Sequence, residues 1–238
     1  MDTLKLKTLL ADAKRLIDAG GDWDRRNRLK VYEALYLIMM RDIRGASSLL
    51  LECIATFTCV ELCTYKQFMF YALVTSIMCL PRIGIKKKVV DNPHVISVIR
   101  DLPNVQTLLH SIYRCEYHDF FKSLLAVHPD ITNDRYMGPH CAHIVREYRI
   151  LAYSQFLEAY KSVMMSSMAK SFCLSLPLLD EELSKFIAAG RLNAKIDKVG
   201  DIIETSRPDK KSAQYQEVIK KGDMLLNHIQ KLVRVIDV

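Results

Sequence analysis

The stretch FIAAGRLNAKID, from Phe186 to Asp197, decides the fold. Gly190 predicts the end of a helix, because glycine adopts the left-handed conformation that is common at helix ends without a Cβ penalty. Leu192, Ala194 and Ile196 then alternate with polar residues, which is the pattern of a strand with one buried face.

A second strand and an earlier helix complete the motif. Lys198 to Asp201 forms a turn that contains Gly200, and Ile202 to Thr205 returns as the second strand. A short helix from about Met168 and a turn precede the helix that ends at Gly190. Two helices followed by a hairpin predict a winged helix, a fold that binds nucleic acid or joins protein complexes.

The charges of the second helix favour protein contact. Asp180, Glu181 and Glu182 lie in its first turn, and Lys185 is its only cation. Acidic side chains suit the positive end of the helix dipole. They would also repel phosphates at the end where helix-turn-helix proteins usually touch DNA. Nucleic acid is therefore not an expected partner.

The last segment, residues 212–238, predicts one long amphipathic helix. Its apolar residues recur at alternating steps of three and four and form a heptad stripe of Tyr215, Val218, Gly222, Leu225, Ile229, Leu232 and Ile236. A second stripe beside the first consists of Ile219, Leu226 and Val233. This apolar face is wider than a two-stranded seam and suits a bundle with partner helices. The alternative is that the helix folds back on its own domain.

Five stretches of the sequence carry a family resemblance. They are DWDRRNRLKVYEALY (Asp22 to Tyr36), REYRILAYSQFLEAYKS (Arg146 to Ser162), ELSKFIAAGRL (Glu182 to Leu192), KIDKV (Lys195 to Val199) and IKKGDMLLNHIQKLVRVI (Ile219 to Ile236). They resemble the PCI-domain family, a module shared by the proteasome lid, the signalosome and a translation initiation factor complex. Within that family they resemble the non-ATPase subunit-six type of the 26S proteasome regulatory particle lid. The resemblance covers about Gly20 to the C-terminus.

Some segments depart from the family pattern. Family members usually carry a long helical segment ahead of the matching region, and this sequence is expected to lack it. The stretch Pro81 to Asn92, which contains Lys86-Lys87-Lys88, matches poorly, and so does the loop His128 to Gly138.

The resemblance implies a non-catalytic scaffold subunit that supports ubiquitin-dependent protein degradation in the cytoplasm and nucleus. Its implied partners are other PCI-domain and MPN-domain lid subunits. We expect the wing strand, Asp201 to Ser206, to offer an edge that a neighbouring PCI domain pairs with. The predicted interface residues are Asp201, Ile202, Ile203 and Glu204 on the wing, and Tyr215, Val218, Leu225, Ile229, Leu232 and Ile236 on the last helix.

The predicted fold class is mainly α. A tetratricopeptide-like helical-repeat arm covers residues 1–165, the winged helix of the PCI domain covers residues 166–211, and the C-terminal helix follows. Within the arm we expect a third helix from Leu49 to Phe57 after a break at Gly45, a fourth from Glu61 to Leu80, and a long helix from Pro139 to Met165. The longest apolar run, Phe68 to Leu80, is shorter than the ~20 residues that span a bilayer.

Composition agrees with a helical protein of a reducing compartment. Half of the 238 residues are hydrophobic, and seven cysteines are scattered among apolar positions without a secreted-domain framework. Charged residues throughout Met1 to Ala19 argue against a signal-peptide core. The net charge of +7 comes from dispersed sources, and RNA binding by the helical arm stays open as an alternative.

Candidate chemical sites are weak. The residues that could suggest zinc are Cys115, His118, His140, Cys141 and His143. They lack the tight paired spacings of structural zinc sites, so no metal and no cofactor are expected. No phosphate-binding loop or local nucleophile signature is present, and neither a small-molecule substrate nor a membrane is an expected partner. The alternatives to the scaffold are a signalosome subunit, a nucleic-acid-binding regulator and an enzyme.

Overall fold

The computed structural model describes residues 3–205 and 210–236, with the side chains of the last helix described from residue 214 to residue 233. The first two thirds of the chain form consecutive α-helices. They are α1 (Thr3–Asp18), α2 (Trp23–Met39), α3 (Ile43–Cys53), α4 (Tyr65–Cys79), α5 (Arg82–Ile85), α6 (Pro93–Val98), α7 (Pro103–Arg114), α8 (Tyr117–Thr132) and α9 (Cys141–Glu158). Neighbours in sequence pack side by side, α1 on α2, α2 on α3, α3 on α4, α7 on α8 and α8 on α9. The mainly helical fold class is confirmed.

The start of α3 differs from the prediction. The helix begins at Ile43 rather than Leu49, and Gly45 lies inside it. Asp42 is the reason, because its carboxylate accepts a hydrogen bond from the Gly45 backbone N–H at 3.1 Å and so caps the first turn. A local side-chain cap outweighs the low helix propensity of one glycine.

Helix α4 forms the centre of the arm. Residues 68–77 are all buried, so this helix is covered on every side. Thr64 caps its start as part of a capping box, and Pro81 ends it through the extended conformation that proline imposes on the residue before it. The Tyr148 hydroxyl of α9 donates to the Val74 carbonyl at 2.7 Å, which ties α9 to this centre.

The long helix α9 ends earlier than predicted. It stops at Glu158 instead of continuing to Met165, and the chain then forms a short strand, β1 (Ser162–Met164). The winged helix follows with α10 (Met165–Phe172), α11 (Leu176–Ala188), β2 (Ala194–Asp197) and β3 (Ile202–Thr205), and the last helix is α12 (Lys210–Ile236). The predicted division of the chain at residues 165 and 211 stays a prediction.

The three strands form one antiparallel sheet in the order β1-β3-β2. Val163 of β1 and Ile196 of β2 both lie opposite Ile203 of β3, whose side chain is fully buried. Gly190 adopts a φ of 67° after α11, which confirms the predicted helix end. In the hairpin turn, the left-handed residue is Asp201, with a φ of 49°, and aspartate is one of the few residues that tolerate that region.

A cluster of aromatic rings joins the arm to the winged helix. Phe172, at the end of α10, is almost fully buried. Its ring centroid lies 4.8 Å from that of Tyr117, 5.1 Å from Tyr153, 5.3 Å from Phe156 and 5.7 Å from Phe121. These four residues belong to α8 and α9, so one side chain of the winged helix is enclosed by two helices of the arm.

We expect Phe172→Ala to lower the free energy of unfolding by about 3–5 kcal/mol, because truncating a buried aromatic side chain leaves a cavity among the four rings. Urea denaturation measures this loss. Leu125→Ala is the control, since Leu125 is an exposed residue of α8 and its loss should change stability by less than about 0.5 kcal/mol. Equal effects of the two variants would contradict the role given to the cluster.

Candidate protein-interaction site

The apolar stripe of α12 is exposed along its described length. Every described side chain from Gln214 to Val233 is exposed. Leu225 is 61%, Ile229 46% and Leu232 59% exposed. A Cβ added at Gly222 would meet nothing within 4 Å. Between residues 214 and 233, the alternative in which the helix folds back on its own domain is therefore wrong.

Both predicted stripes lie on this helix. Tyr215 and Val218 of the first stripe are exposed, as are Ile219, Leu226 and Val233 of the second. Ile236 lies within α12, but its side chain is outside the described ones. On the polar face, Lys221 and Glu217 form an ion pair of 2.8 Å at the i,i+4 spacing that supports an isolated helix. A wide exposed apolar face of this kind is typical of interaction surfaces.

The wing residues do not lie where the sequence placed them. Ile202, Ile203 and Glu204 belong to β3, which is paired on both sides and is the central strand. The expectation that this strand is an edge is wrong, because β1 supplies a third strand that the sequence analysis assigned to a helix. The edges of the sheet are β1 and β2. Whether the wing residues touch a partner stays a prediction.

The hydrogen-bond pattern identifies the free edge of β2. The Thr205 N–H donates to the Lys161 carbonyl at 2.9 Å, and the Met165 N–H donates to the Asp201 carbonyl at 2.8 Å. The backbone N–H and C=O groups of the odd-numbered residues of β3 therefore point toward β1 and form hydrogen bonds with it. In an antiparallel ladder the even-numbered residues then bond to β2, where they lie opposite Lys195 and Asp197. The backbone groups of Ala194 and Ile196 therefore point away from the sheet and are available to another strand.

Asp180, Glu181 and Glu182 lie in the second turn of α11, so the prediction that they lie in its first turn is wrong. The helix begins earlier, at Leu176, because Ser175 is extended and a proline occupies the start of the helix.

The three acids are engaged within the protein. Glu182 is largely buried. It pairs with Arg149 of α9, and it accepts a hydrogen bond from the Tyr153 hydroxyl at 2.7 Å. Burial raises the pKa of Tyr153 to about 12, so the hydroxyl stays a donor at neutral pH.

The other two acids of this turn are also paired. Asp180 accepts from Lys198 of the hairpin turn at 3.1 Å, and Glu181 pairs with Lys185 one turn further along α11. Asp180 and Glu182 therefore tie α11 to the hairpin turn and to the arm, whereas the pair of Glu181 and Lys185 lies within α11. The sequence shows these acids but not the distant partners of two of them, because Arg149 lies 33 residues before Glu182 and Lys198 lies 18 residues after Asp180.

A second charged contact joins the arm to the loop before β2. Arg191 pairs with Glu147 of α9, whose side chain is mostly buried. His143, one turn earlier on α9, lies 3.9 Å from the same carboxylate. Burial and the nearby Arg146, which outweigh the opposing carboxylate, lower the pKa of His143. The imidazole is thus neutral at physiological pH.

Cys59, Cys63 and Cys79 lie in environments that oppose nucleophilic chemistry. Burial, assisted by Glu61, raises the pKa of Cys59 to about 12, and burial raises the pKa of Cys63 and Cys79 to about 11. A thiol with so high a pKa forms little of the reactive thiolate.

The residues that could suggest zinc are separated in the structure. Cys141 is buried at the start of α9, with its Sγ 3.3 Å from the Thr132 hydroxyl, whereas His140 donates from Nε2 to the Met39 carbonyl at 2.9 Å. Among the described residues, no group of three or more His, Cys, Asp or Glu side chains is placed to hold a metal ion. In the part of the chain that the structure describes, no helix has the length and apolarity needed to cross a membrane.

Comparison with known proteins agrees with this architecture. Three family models match the chain: 26S proteasome subunit RPN7 over residues 1–88, the PCI domain over residues 124–207, and the 26S proteasome regulatory subunit RPN7/PSMD6 C-terminal helix over residues 214–236. The chain belongs to the RPN7 family of PCI-domain proteins. The resemblance recognised in the sequence is confirmed.

Curated relatives of the RPN7 family match almost the whole chain. The 26S proteasome non-ATPase regulatory subunit 6 homolog of Arabidopsis thaliana is 51% identical over 94% of this chain and 58% of its own length. The 26S proteasome non-ATPase regulatory subunit 6 of Oryza sativa is 48% identical over all of this chain and 61% of its own length. The COP9 signalosome complex subunit 1 of Arabidopsis thaliana is 25% identical over 64% of this chain and 35% of its own length. The chain spans less than two thirds of these relatives.

We expect Glu182→Gln to lower the free energy of unfolding by about 1–2 kcal/mol, because it leaves Arg149 without its ionic partner in a partly exposed site. Glu181→Gln is the matched control, since the same charge is removed from an exposed pair on the same helix turn, and its effect should stay below about 0.5 kcal/mol. Urea denaturation of both variants measures the difference. A Glu182 variant as stable as the control would show that the contact does not hold the winged helix to the arm.

Proposed function

We propose that this chain is a non-catalytic scaffold subunit of the 26S proteasome regulatory particle lid, with a role in ubiquitin-dependent protein degradation. The observation that carries the proposal is the wide apolar stripe of α12, exposed at every described side chain. Full burial of one such Leu or Ile side chain contributes about 1.5–3 kcal/mol. A partner that covers this stripe would therefore gain substantial binding free energy from the helix alone.

In this proposal, two surfaces bind different neighbours. The stripe of α12 joins a helical bundle with other lid subunits, since a wide apolar face favours several helices over one. The free edge of β2 pairs with a strand of a neighbouring PCI domain, because the outward backbone groups of Ala194 and Ile196 can extend the sheet. The arm acts as a rigid spacer, and the chain works in the cytoplasm and nucleus. The partners are PCI-domain and MPN-domain subunits.

The absence of catalysis is part of the same proposal. The printed names of the relatives describe non-ATPase regulatory subunits. The raised pKa values of the buried thiols also oppose a cysteine nucleophile. A signalosome subunit is the second candidate, favoured by the match to COP9 signalosome complex subunit 1. Its 25% identity, against 51% for the proteasome relative, places it behind the lid.

Affinity purification from cells followed by mass spectrometry tests the assignment. We expect the tagged chain to recover identified lid subunits in stoichiometric amounts. Recovery of signalosome subunits in their place would favour the second candidate. Recovery of ribonucleoproteins alone would contradict both scaffold assignments.

We expect the triple variant Leu225→Ser, Ile229→Ser, Leu232→Ser to lose co-purification with lid subunits, because the variant removes the apolar face that the partner helices cover. The control variant changes the opposite face, Asp223→Ser, Asn227→Ser and Gln230→Ser, and should bind normally. Both variants should keep the melting transition of the rest of the chain in circular dichroism, since α12 is exposed. Retained binding of the first variant would refute the role of the stripe.

We expect Ile196→Pro to weaken association with one neighbour while binding through α12 continues. The substitution removes an outward N–H at the edge of the sheet, a position where proline is tolerated within a strand. Ile196→Ala is the matched control, because it loses the same side-chain packing but keeps the N–H donor. Native gel electrophoresis of the reconstituted assembly measures the effect. Equal assembly of the two variants would exclude strand addition at β2.

A further inference from the structure

A basic segment stands apart from both proposed interfaces. From Pro81 to Arg100 the chain holds five cations against the single acid Asp91, a net charge of +4 in a chain whose total is +7. The cations are Arg82, Lys86, Lys87, Lys88 and Arg100. This segment lies between α4 and α7 in sequence, and neither α12 nor the β2 edge includes any part of it.

The three lysines lie on an anchored turn. Residues Lys86–Val90 form a π-helical turn, which the Asp91 N–H closes by donating to the Lys86 carbonyl at 2.9 Å. Ile85 before the lysines and Val89 after them are buried in the core, whereas the lysines between them are exposed. Single π-helical turns within helices are rare and frequently lie at functional sites. The fold thus presents three consecutive exposed lysines on a turn that is anchored by the buried residues on either side of it.

The charge of this row is not neutralised within the described residues. Ion pairs there engage Arg149, Arg191 and Lys198, but none joins a carboxylate to Lys86, Lys87 or Lys88. Three adjacent exposed ammonium groups repel one another. An acidic partner would relieve that repulsion.

Exposed aliphatic side chains accompany the lysines. Ile83 is 74% exposed and precedes Lys86 and Lys87 by three and four residues, a spacing that brings side chains to one helix face. Ile96 is 50% exposed and lines a cavity of about 240 Å³ together with Val89, Val90, Val95, Ile99, Arg100, Gln106, Leu109 and His110. The surface therefore combines positive charge with an apolar depression.

We propose that the segment from Arg82 to Arg100 docks an acidic segment of a partner protein in which aliphatic residues alternate with carboxylates. The carboxylates pair with the lysines, and the aliphatic side chains cover Ile83 and Ile96. This docking site goes beyond the scaffold role and uses neither of its two surfaces.

Two other polyanions fit the surface less well. Single-stranded nucleic acid binds through aromatic platforms on which bases stack, and the Tyr113 ring near this segment is already covered by the Arg82 guanidinium at 5.4 Å. Clusters of cations that recognise anionic membranes typically lie beside a transmembrane helix or on an amphipathic helix, whereas Lys86, Lys87 and Lys88 lie on a turn of five residues.

The test measures fluorescence anisotropy with the full chain and a fluorescein-labelled peptide in which glutamates alternate with leucines. A second peptide replaces every glutamate by glutamine. We expect the glutamate peptide to bind and the glutamine peptide to bind much more weakly. Lys86→Gln, Lys87→Gln and Lys88→Gln together should weaken binding by about tenfold, as expected for the loss of three exposed ion pairs.

The matched control changes three exposed lysines elsewhere, Lys122→Gln, Lys161→Gln and Lys170→Gln, and removes the same total charge. Its binding should stay within about twofold of the unchanged chain, since distant exposed charges are screened at physiological salt. Circular dichroism confirms that each variant is folded. Ile83→Ser should also weaken binding of the glutamate peptide, because it removes an aliphatic side chain that the leucines of the peptide cover.

Three results would overturn the proposal. The first is no binding of the glutamate peptide, and the second is equal loss in the two lysine variants. The third is tighter binding of single-stranded RNA or of phosphatidylserine vesicles than of the peptide, lost in the variant at residues 86–88, which would assign the segment to that other polyanion.

Discussion

The position of the winged helix depends on the burial of Phe172 among the rings of α8 and α9. Helix α10 has eight residues, and a helix of that length has little stability by itself in water. The enclosed ring supplies apolar burial that local hydrogen bonds cannot. Because Tyr153 and Phe156 both extend from α9, this helix of the arm also determines where α10 lies.

Charged contacts then fix the orientation that the rings leave free. Apolar packing is non-directional, whereas the contacts from Arg149 to Glu182 and from Glu147 to Arg191 join particular points of α9 to α11 and to the loop before β2. The charge of Glu182 is compensated within the molecule by Arg149, and that of Glu147 by Arg191. Their influence on nucleic acid is therefore smaller than the sequence suggests, and their main effect is on the geometry of the winged helix.

The sequence predicted the elements whose signals are local. Gly190 marked the end of α11, alternating apolar residues marked β2, and the heptad stripe marked α12. The prediction failed where the signal depends on distant residues. Strand β1 has three residues and is defined by its pairing with β3, about 40 residues later. A strand of three residues is too short to show a periodic pattern. Because β1 was not predicted, β3 was expected to be an edge strand of the sheet. For the same reason the sequence identified Glu182 but not its contacts with Arg149 and Tyr153.

Helix α12 can be exposed because local interactions within the helix stabilise it. The helix has 27 residues, long enough for backbone hydrogen bonds and i,i+4 pairs such as that of Glu217 and Lys221 to maintain it with little tertiary packing. If the helix packed on the core of its own chain, its apolar surface would be buried within the monomer. Since the described side chains of α12 are exposed, that area stays available for association. The core of the arm and the winged helix therefore forms without the apolar surface of α12. A partner that bound this surface could associate or dissociate without unfolding the rest of the chain.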